Sequence, residues 1–247
     1  MNRSLKIKNF QYNRDNREIL PQMPLFEEIK ILKKTQIKIQ TAISYAFEEN
    51  SYIISLDNGS ECVIVDPGIA PEQLLEILCK QNLTPVVMLI THGHYDHIGG
   101  IFAVREVWPE CQIWTSEPEA KKLVDPNLNL SAVFGFPQVA PAADKILDAS
   151  EEFTIAGLDF QAIHIPGHSS GHLVFALQEP KHLNIFVGDT IFAGSIGRGD
   201  FPDGDSDLLI DSIKSKLLTL PDNTILYPGH GEKTTVGHEK RYNPWIK

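Results

Sequence analysis

The segment Thr91-His92-Gly93-His94-Tyr95-Asp96-His97 packs three imidazoles and one carboxylate into six consecutive positions after Thr91. It follows an apolar run, Val86-Val87-Met88-Leu89-Ile90, set between Pro85 and the Gly99-Gly100 pair. A short apolar run bounded this way reads as a buried strand. The polar cluster then falls at the strand's carboxyl end, where open α/β sheets place their ligand sites. In extended backbone His92 and His94 point the same way, because side chains alternate with period two. Asp96 and His97 belong to the next turn and can face a second point, so one loop can begin two metal sites. A lone histidine would read as a surface or hydrogen-bonded core residue. Packing gains nothing from gathering four titratable groups, and unpaired charges there would be costly. The cluster is read as metal-ligating.

Three later residues share a local setting with this loop. His168 follows the apolar stretch Leu158–Ile165 and Pro166-Gly167, Asp189 follows Leu183–Val187 and Gly188, and His230 follows Ile225–Tyr227 and Pro228-Gly229. Glycine lets the backbone turn sharply at each strand end. All three can converge with the first cluster at one sheet edge. Any one alone would read as a loop histidine or a capping aspartate.

Other patterns frame these positions. Residues 1–36 are polar, with mixed charge and prolines at Pro21 and Pro24, and read as an N-terminal extension with a short helix near Leu25–Leu32. Residues 37–247 read as one structured domain, the pattern changing at Ile37. Alternation over Ile37–Thr41, then Tyr52–Ile54 and Cys62–Val65 around Asn58-Gly59, predicts strands and a hairpin. Pro71–Lys80, Ile98–Val107, Glu117–Val124 and Leu208–Leu218 carry helical spacing, the last with Asp205 or Ser206 as its cap. Gly157 separates an antiparallel pair, and Asp125–Pro141 reads as irregular. His164, His172, His182 and His238 are left outside the ligand set, with His172 read as a packing or supporting residue.

Composition bounds the partners. The net charge of −10 argues against nucleic acid and anionic lipid. The start carries no signal-type apolar core and no run reaches membrane-spanning length, which predicts a cytoplasmic protein without a membrane anchor. Cys62, Cys79 and Cys111 are widely spaced and read as reduced thiols.

The order of motifs Asp66-Pro67-Gly68, Thr91–His97, Pro166-Gly167-His168, Gly188-Asp189-Thr190 and Pro228-Gly229-His230 resembles the metallo-β-lactamase superfamily. The stretch Gly194–Pro202 and the tail Thr234–Glu239, ending Asn243-Pro244, are similar to the short single-domain type II glyoxalases. The resemblance implies an α/β fold, a four-layer αββα sandwich with the metals at one edge. It implies that His92, His94 and His168 hold one metal, that Asp96, His97 and His230 hold a second, and that Asp189 bridges them. It implies two divalent ions, zinc by ligand type, with iron or manganese as alternatives.

Two such ions sharing a water would lower its pKa toward neutrality. The resemblance then implies hydrolysis of a small-molecule thioester, of the hydroxyacylglutathione hydrolase kind, with Asp96 as a ligand that can also take a proton. Arg198 is the expected substrate-binding residue, through paired hydrogen bonds to a carboxylate; a structural pair with Asp200 or Asp203 is the other reading. Longer type II glyoxalases carry a helical C-terminal domain absent from this sequence, and tyrosines where Asp200 and Glu232 stand here. Those departures predict weak recognition of glutathione. Lactone or lactam opening is a second hydrolytic reading. A mononuclear iron persulfide dioxygenase is the reading from another class, since those enzymes share the Gly-Arg-x-Asp-Phe element. Oligomeric state stays open.

Overall fold

The computed structural model describes residues 36–179 and 182–247. The expected helix near Leu25–Leu32 and all but the last residue of the expected extension lie outside the described residues.

The first half builds β1 (Ile37–Ile43), β2 (Asn50–Leu56), β3 (Glu61–Val65), α1 (Glu72–Gln81), β4 (Thr84–Leu89), α2 (Tyr95–Ile98), α3 (Ile101–Val107), β5 (Gln112–Thr115), α4 (Glu117–Leu123) and β6 (Lys145–Ile146). These strands form one six-stranded sheet in chain order. It is antiparallel from β1 to β3 and parallel from β3 to β6. The Asn58-Gly59 turn closes where expected, with Gly59 N donating to Leu56 O at 2.8 Å.

The second half adds β7 (Glu152–Ile155), β8 (Leu158–His164), β9 (Leu173–Gln178), β10 (Leu183–Gly188), β11 (Ile191–Phe192), β12 (Ser195–Ile196), α5 (Ser206–Ser212), β13 (Ile225–Pro228), β14 (Thr234–Thr235) and α6 (Val236–Tyr242). The second sheet runs β14-β13-β10-β9-β8-β7, while β11 and β12 pair separately. Ala156 and Gly157 both take positive φ, 52° and 74°. A two-residue turn of this type matches the twist of the strands it joins, β7 and β8.

Period-two alternation sorts each strand's side chains into two layers. Ile54, Val63, Val65 and Leu89 face Phe160, Phe175 and Phe186, forming the core between the sheets. Ile53, Cys62, Ile64 and Met88 face the other way, onto Leu74 and Leu78 of α1 and Ile101 and Val104 of α3. Val174, Ile185, Val187 and Leu226 turn outward onto Leu209, Ile213 and Leu217. Sequence neighbours therefore bury into different cores, and the result is the four-layer αββα sandwich. Each fully buried large side chain contributes about 1.5–3 kcal/mol relative to exposure.

Two expected helices are each divided. Ile98–Val107 is interrupted at Gly99-Gly100, so α2 begins earlier, at Tyr95, and carries Asp96 and His97 on its first turn. Gly100 N donates to Pro67 O at 2.9 Å instead of continuing one helical ladder. The Leu208–Leu218 helix starts at Ser206, capped by Asp205, which accepts from Leu208 N, and then loosens into a π-turn over Ile213–Leu217. Among the described residues no helix is long and apolar enough to cross a membrane.

Candidate metal centre

Strand direction brings the distant residues together. β8 and β10 both pair antiparallel with β9, so they run the same way, and β13 is parallel to β10. The carboxyl ends of all three open on one edge, delivering His168, Asp189 and His230 beside the loop after β4. The β10–β13 register shifts between Phe186 and Gly188, and Gly229 N donates to Gly188 O at 2.8 Å. Gly229 cannot be replaced easily, because a Cβ there would strike Asp189 Oδ1 and His97 Cε1. The first sheet pins the same loop: Tyr52 Oη donates to Pro228 O at 2.6 Å and Asn50 Nδ2 to Gly231 O at 2.8 Å.

His92, His94 and His168 converge. His168 Nε2 lies 3.2 Å from His92 Nε2 and 3.0 Å from His94 Nδ1. Hydrogen bonds on the far ring atoms orient two of them. His168 Nδ1 donates to Arg198 O at 2.8 Å. Thr91 Oγ1 donates to Asp66 Oδ2 at 2.7 Å, so it accepts from His92 Nδ1, 3.0 Å away. Each Nε2 is thus left as a bare lone pair facing the other's.

Asp96, His97 and His230 form a second group, with ligand-type atoms all within 4.8 Å. His230 Nε2 is 3.3 Å and His97 Nε2 3.7 Å from Asp96 Oδ2. Asp189 stands between the groups. Its Oδ1 is 3.4 Å from His97 Nε2, and its Oδ2 is 3.7 Å from His230 Nε2 and 3.8 Å from His168 Nε2. His97 Nε2 and Asp189 Oδ1 are buried without any hydrogen-bond partner. Buried polar atoms are seldom left so, and converging lone pairs repel unless a cation sits among them. The donor set of imidazole nitrogens and carboxylate oxygens fits divalent metal ions. All seven residues singled out in the sequence as ligands meet at this edge.

The two groups differ electrostatically. Burial, reinforced by the neighbouring imidazoles, pushes His92 well below the usual imidazole range; burial, with His168 and Lys122, pushes His94 down to about 3. Burial also lowers His168, against the pull of Asp189. Burial would lower His97 too, but the charges of Asp189 and Asp96 outweigh it and hold His97 well above the usual range. His230 is raised likewise, by its hydrogen bond to Asp96 and the charge of Asp189, against its burial. Burial would raise Asp189, yet His97, His230 and His168 hold it far below the ordinary carboxylate range.

Further residues support the site from behind, as expected for His172. Asp66 accepts from Thr91 N at 2.8 Å and from His97 Nδ1 at 3.0 Å, which aims His97 Nε2 inward. Glu119 on α4 is fully buried; it accepts from Gly93 N at 2.7 Å, Ser169 Oγ at 2.6 Å and Gly171 N at 2.8 Å. Lys122 joins it at 3.1 Å and reaches Asp203 at 2.6 Å. His172 stacks on His92, centroids 4.9 Å apart and planes at 19°, and accepts from Asp189 N at 3.2 Å. Glu49, pushed upward by burial, lies 3.9 Å from His97 Nδ1. His164, by contrast, joins neither donor group, and its Nε2 bonds to Ser170 O at 2.9 Å. In a sequence Glu119 and Glu49 look like any solvated glutamate; only the fold buries them.

A cleft of about 310 Å³ opens over both groups, walled by Phe47, Tyr95, Leu130, Phe134, Phe192 and Phe201. Phe201 packs edge-on against His94 and His168, with centroids 4.9 and 5.6 Å away. Arg198 stands at the rim. Its Nε and Nη2 each donate to Asp200 at 2.8 Å, and its guanidinium lies 4.7 Å from the Phe201 centroid. Glu232 is not in this lining.

This layering and edge site define a metallo-hydrolase sandwich. The family model of the metallo-beta-lactamase superfamily matches residues 45–230, and the chain belongs to that superfamily. It is 38% identical over 203 residues to hydroxyacylglutathione hydrolase GloC of Haemophilus influenzae, spanning 81% of this chain and 94% of that one. Among solved structures it resembles the BLEG-1 B3 metallo-beta-lactamase, at 37% identity and a TM-score of 0.80, covering 85% of this chain and all of that one. It also resembles TTHA1623 in a di-iron-bound form, at 32% identity and a TM-score of 0.71, covering 83% and 99%.

Proposed function

We propose that this chain is a dinuclear hydrolase of thioesters, with His92, His94 and His168 holding one divalent ion, Asp96, His97 and His230 the other, and Asp189 spanning both. Zinc is the ion we assign, with iron or manganese as substitutes the same donors accept. The observation that carries the reading is Asp189, whose Oδ1 faces His97 of one donor group while its Oδ2 faces His168 of the other. Bound there, two such ions supply an activated water and an electrophile for a carbonyl. The similarity to a hydroxyacylglutathione hydrolase over nearly its whole length supports thioesters as the substrate class.

The residues divide the remaining work. Asp66 and Arg198 O fix His97 and His168 from behind, so the donor geometry is set before substrate arrives. Asp96 Oδ2, 3.3 Å from His230 Nε2 and partly open to the cleft, is placed to take the proton of the attacking water. The rings of Phe192 and Phe201 crowd bulk solvent away from the reacting carbonyl. Water's oxygen bonds to the carbonyl carbon, the carbon–sulfur bond breaks, and carboxylate, thiol and a proton leave. Arg198 can receive a carboxylate of the thiol half only in competition with Asp200.

The test is steady-state hydrolysis of a thioester panel, with nitrocefin as a lactam arm, on protein of measured metal content. Thioester turnover that tracks occupancy by two ions is expected. Turnover of the lactam alone, or of no thioester by protein holding two ions, overturns the proposal.

A further inference from the structure

The walls of the cleft say which half of a thioester they face. Phe47 packs edge-on against Phe134 at 5.9 Å, forming one part of the wall, and Phe136, outside the lining, stacks behind Phe134 at 6.2 Å. Phe192, 6.2 Å from His230, and Phe201, against His94 and His168, line the rest of it. The donor groups are the floor. Beyond that floor the polar lining is small. The Asn129 amide is consumed internally, its Oδ1 accepting from Ser131 N at 3.0 Å and its Nδ2 donating to Gln138 O at 2.9 Å. Arg198 is tied to Asp200, and the Tyr95 phenol remains. Phe134 is 56% exposed, yet it stands over the floor and not on a distant face. An apolar wall this close to the reacting carbonyl, with its one cation already paired, suits a hydrocarbon group better than a hydroxylated or charged one.

We propose that the Phe47–Phe134 and Phe192–Phe201 walls select thioesters whose acyl group is an apolar chain or ring, the hydrophilic carrier thiol lying on the rim beside Arg198. This rests on the thioesterase reading above and names the acyl class that such an enzyme would take. A short hydroxyacyl group would leave the rings uncovered and place its hydroxyl against carbon. Each methylene laid on the walls leaves water, and burial of one methylene corresponds to about a fourfold gain.

Two measurements test this separately from the reading it rests on. The first is kcat/KM for straight-chain acyl thioesters of N-acetylcysteamine, with the 2-hydroxyacyl analogues beside them. We expect a rise of about fourfold per methylene until the acyl group outgrows the cleft, and each hydroxylated analogue below its parent. Phe134→Ala and Phe192→Ala should each lower the hexanoyl-to-acetyl ratio about fivefold. The second is calorimetric binding of straight-chain carboxylates to the two-metal protein, which requires no turnover. Affinity rising with chain length supports the apolar acyl site even if no thioester is cleaved. Length-independent affinity, or a preference for the hydroxyacyl member, overturns it while leaving thioester hydrolysis standing. A change of molar mass in Phe134→Ala by light scattering, with the chain-length slope intact, would assign that wall to contact between copies and also overturn it.

Discussion

Glu119 accepts the backbone N–H of Gly93 at 2.7 Å, so the residue between His92 and His94 is fixed by a helix that carries no ligand-type residue of its own among the seven. The same carboxylate takes Ser169 Oγ and Gly171 N from the loop of His168. One buried group therefore sets the spacing between two loops whose histidines must converge within about 3 Å. Lys122 balances its charge and carries the tie on to Asp203, which accepts from Ser170 N and Oγ, each at 3.1 Å.

Removing that carboxylate strands several buried donors and one ammonium. Glu119→Ala should cost about 3–5 kcal/mol, the usual penalty for breaking a buried pair, and lower the melting temperature by about 10 °C. Glu119→Gln keeps acceptor capacity and should fall between. The ion held by His92, His94 and His168 should weaken more than the other, because Gly93 and Ser169 flank those ligands. Calorimetric melting and metal titration check both parts. An equal loss at the two sites would limit Glu119 to general stability.

Asp66 plays a comparable part for the second group. Its Oδ2 receives His97 Nδ1 at 3.0 Å, which keeps Nε2 turned toward Asp96 and Asp189. Asp66→Asn should lower affinity for the second ion about 10–100-fold, the range seen when a partner behind a ligating histidine is lost. Chelator competition, monitored per site, reads this directly. The first ion should weaken less, since the amide oxygen introduced by the substitution can still accept from Thr91 N, while Thr91 Oγ1 behind His92 loses its acceptor.

Much of this centre is legible in the sequence because its ligands break rules of ordinary composition. Four ligand-type residues within six positions, and three strand ends that each finish on glycine and a histidine or aspartate, have no packing explanation. Apolar strands such as β4 and β10 are legible for the opposite reason, as unbroken runs. Glu119, Glu49 and Lys122 carry no such mark: nothing local separates a buried glutamate from a solvated one until the opposite loop donates to it. The division of the expected Ile98–Val107 helix depends on Gly100 bonding to Pro67, a residue far back in the chain. The short strands β11, β12 and β14 are made by pairing with their neighbours, and two residues hold too little pattern to signal a strand.

Acid should strip the two ions unequally. His97 and His230 sit above the usual imidazole pKa in the metal-free protein, so below those raised values each must release a proton when an ion binds. Affinity for the second ion should therefore fall about 10- to 100-fold between pH 7 and pH 6, according to whether one or both imidazoles release a proton. His92, His94 and His168 are depressed and already neutral across that window, so the first ion should lose only a few-fold. The depressed set also sets the stability of the metal-free protein. An unfolded chain takes up protons near pH 6.5, while the folded one holds His92 and His94 neutral to far lower pH and His168 to lower pH, so stability falls as pH drops below about 6.5. Metal titrations and urea unfolding at matched pH values check both. Parallel pH dependence at the two sites would show that the imidazoles do not differ in this way.

Charge at the rim of the cleft rests on one ion pair. Arg198 donates twice to Asp200, at 2.8 Å each, and both side chains are about two-thirds exposed. A substrate carboxylate must displace Asp200 to form the paired hydrogen bonds that arginine offers, so the pair holds Arg198 back from anionic thiols. Arg198→Ala should then change the ratio of kcat/KM for S-lactoylglutathione over a neutral N-acetylcysteamine thioester by less than about threefold, as expected for an exposed, screened charge. Asp200→Asn should do more. It removes the competitor and one negative charge while leaving the guanidinium near its place over Phe201. The same ratio should rise about three- to tenfold at low salt and return toward the parent value as ionic strength shortens the screening length. Neutral thioesters should be indifferent to both substitutions and to salt, which separates a charge effect from a disturbed loop. A large selective loss of glutathione thioester turnover in Arg198→Ala would mean that Arg198 leaves Asp200 for the substrate in the parent protein. An unchanged ratio in Asp200→Asn would place the recognition of the thiol elsewhere on the rim.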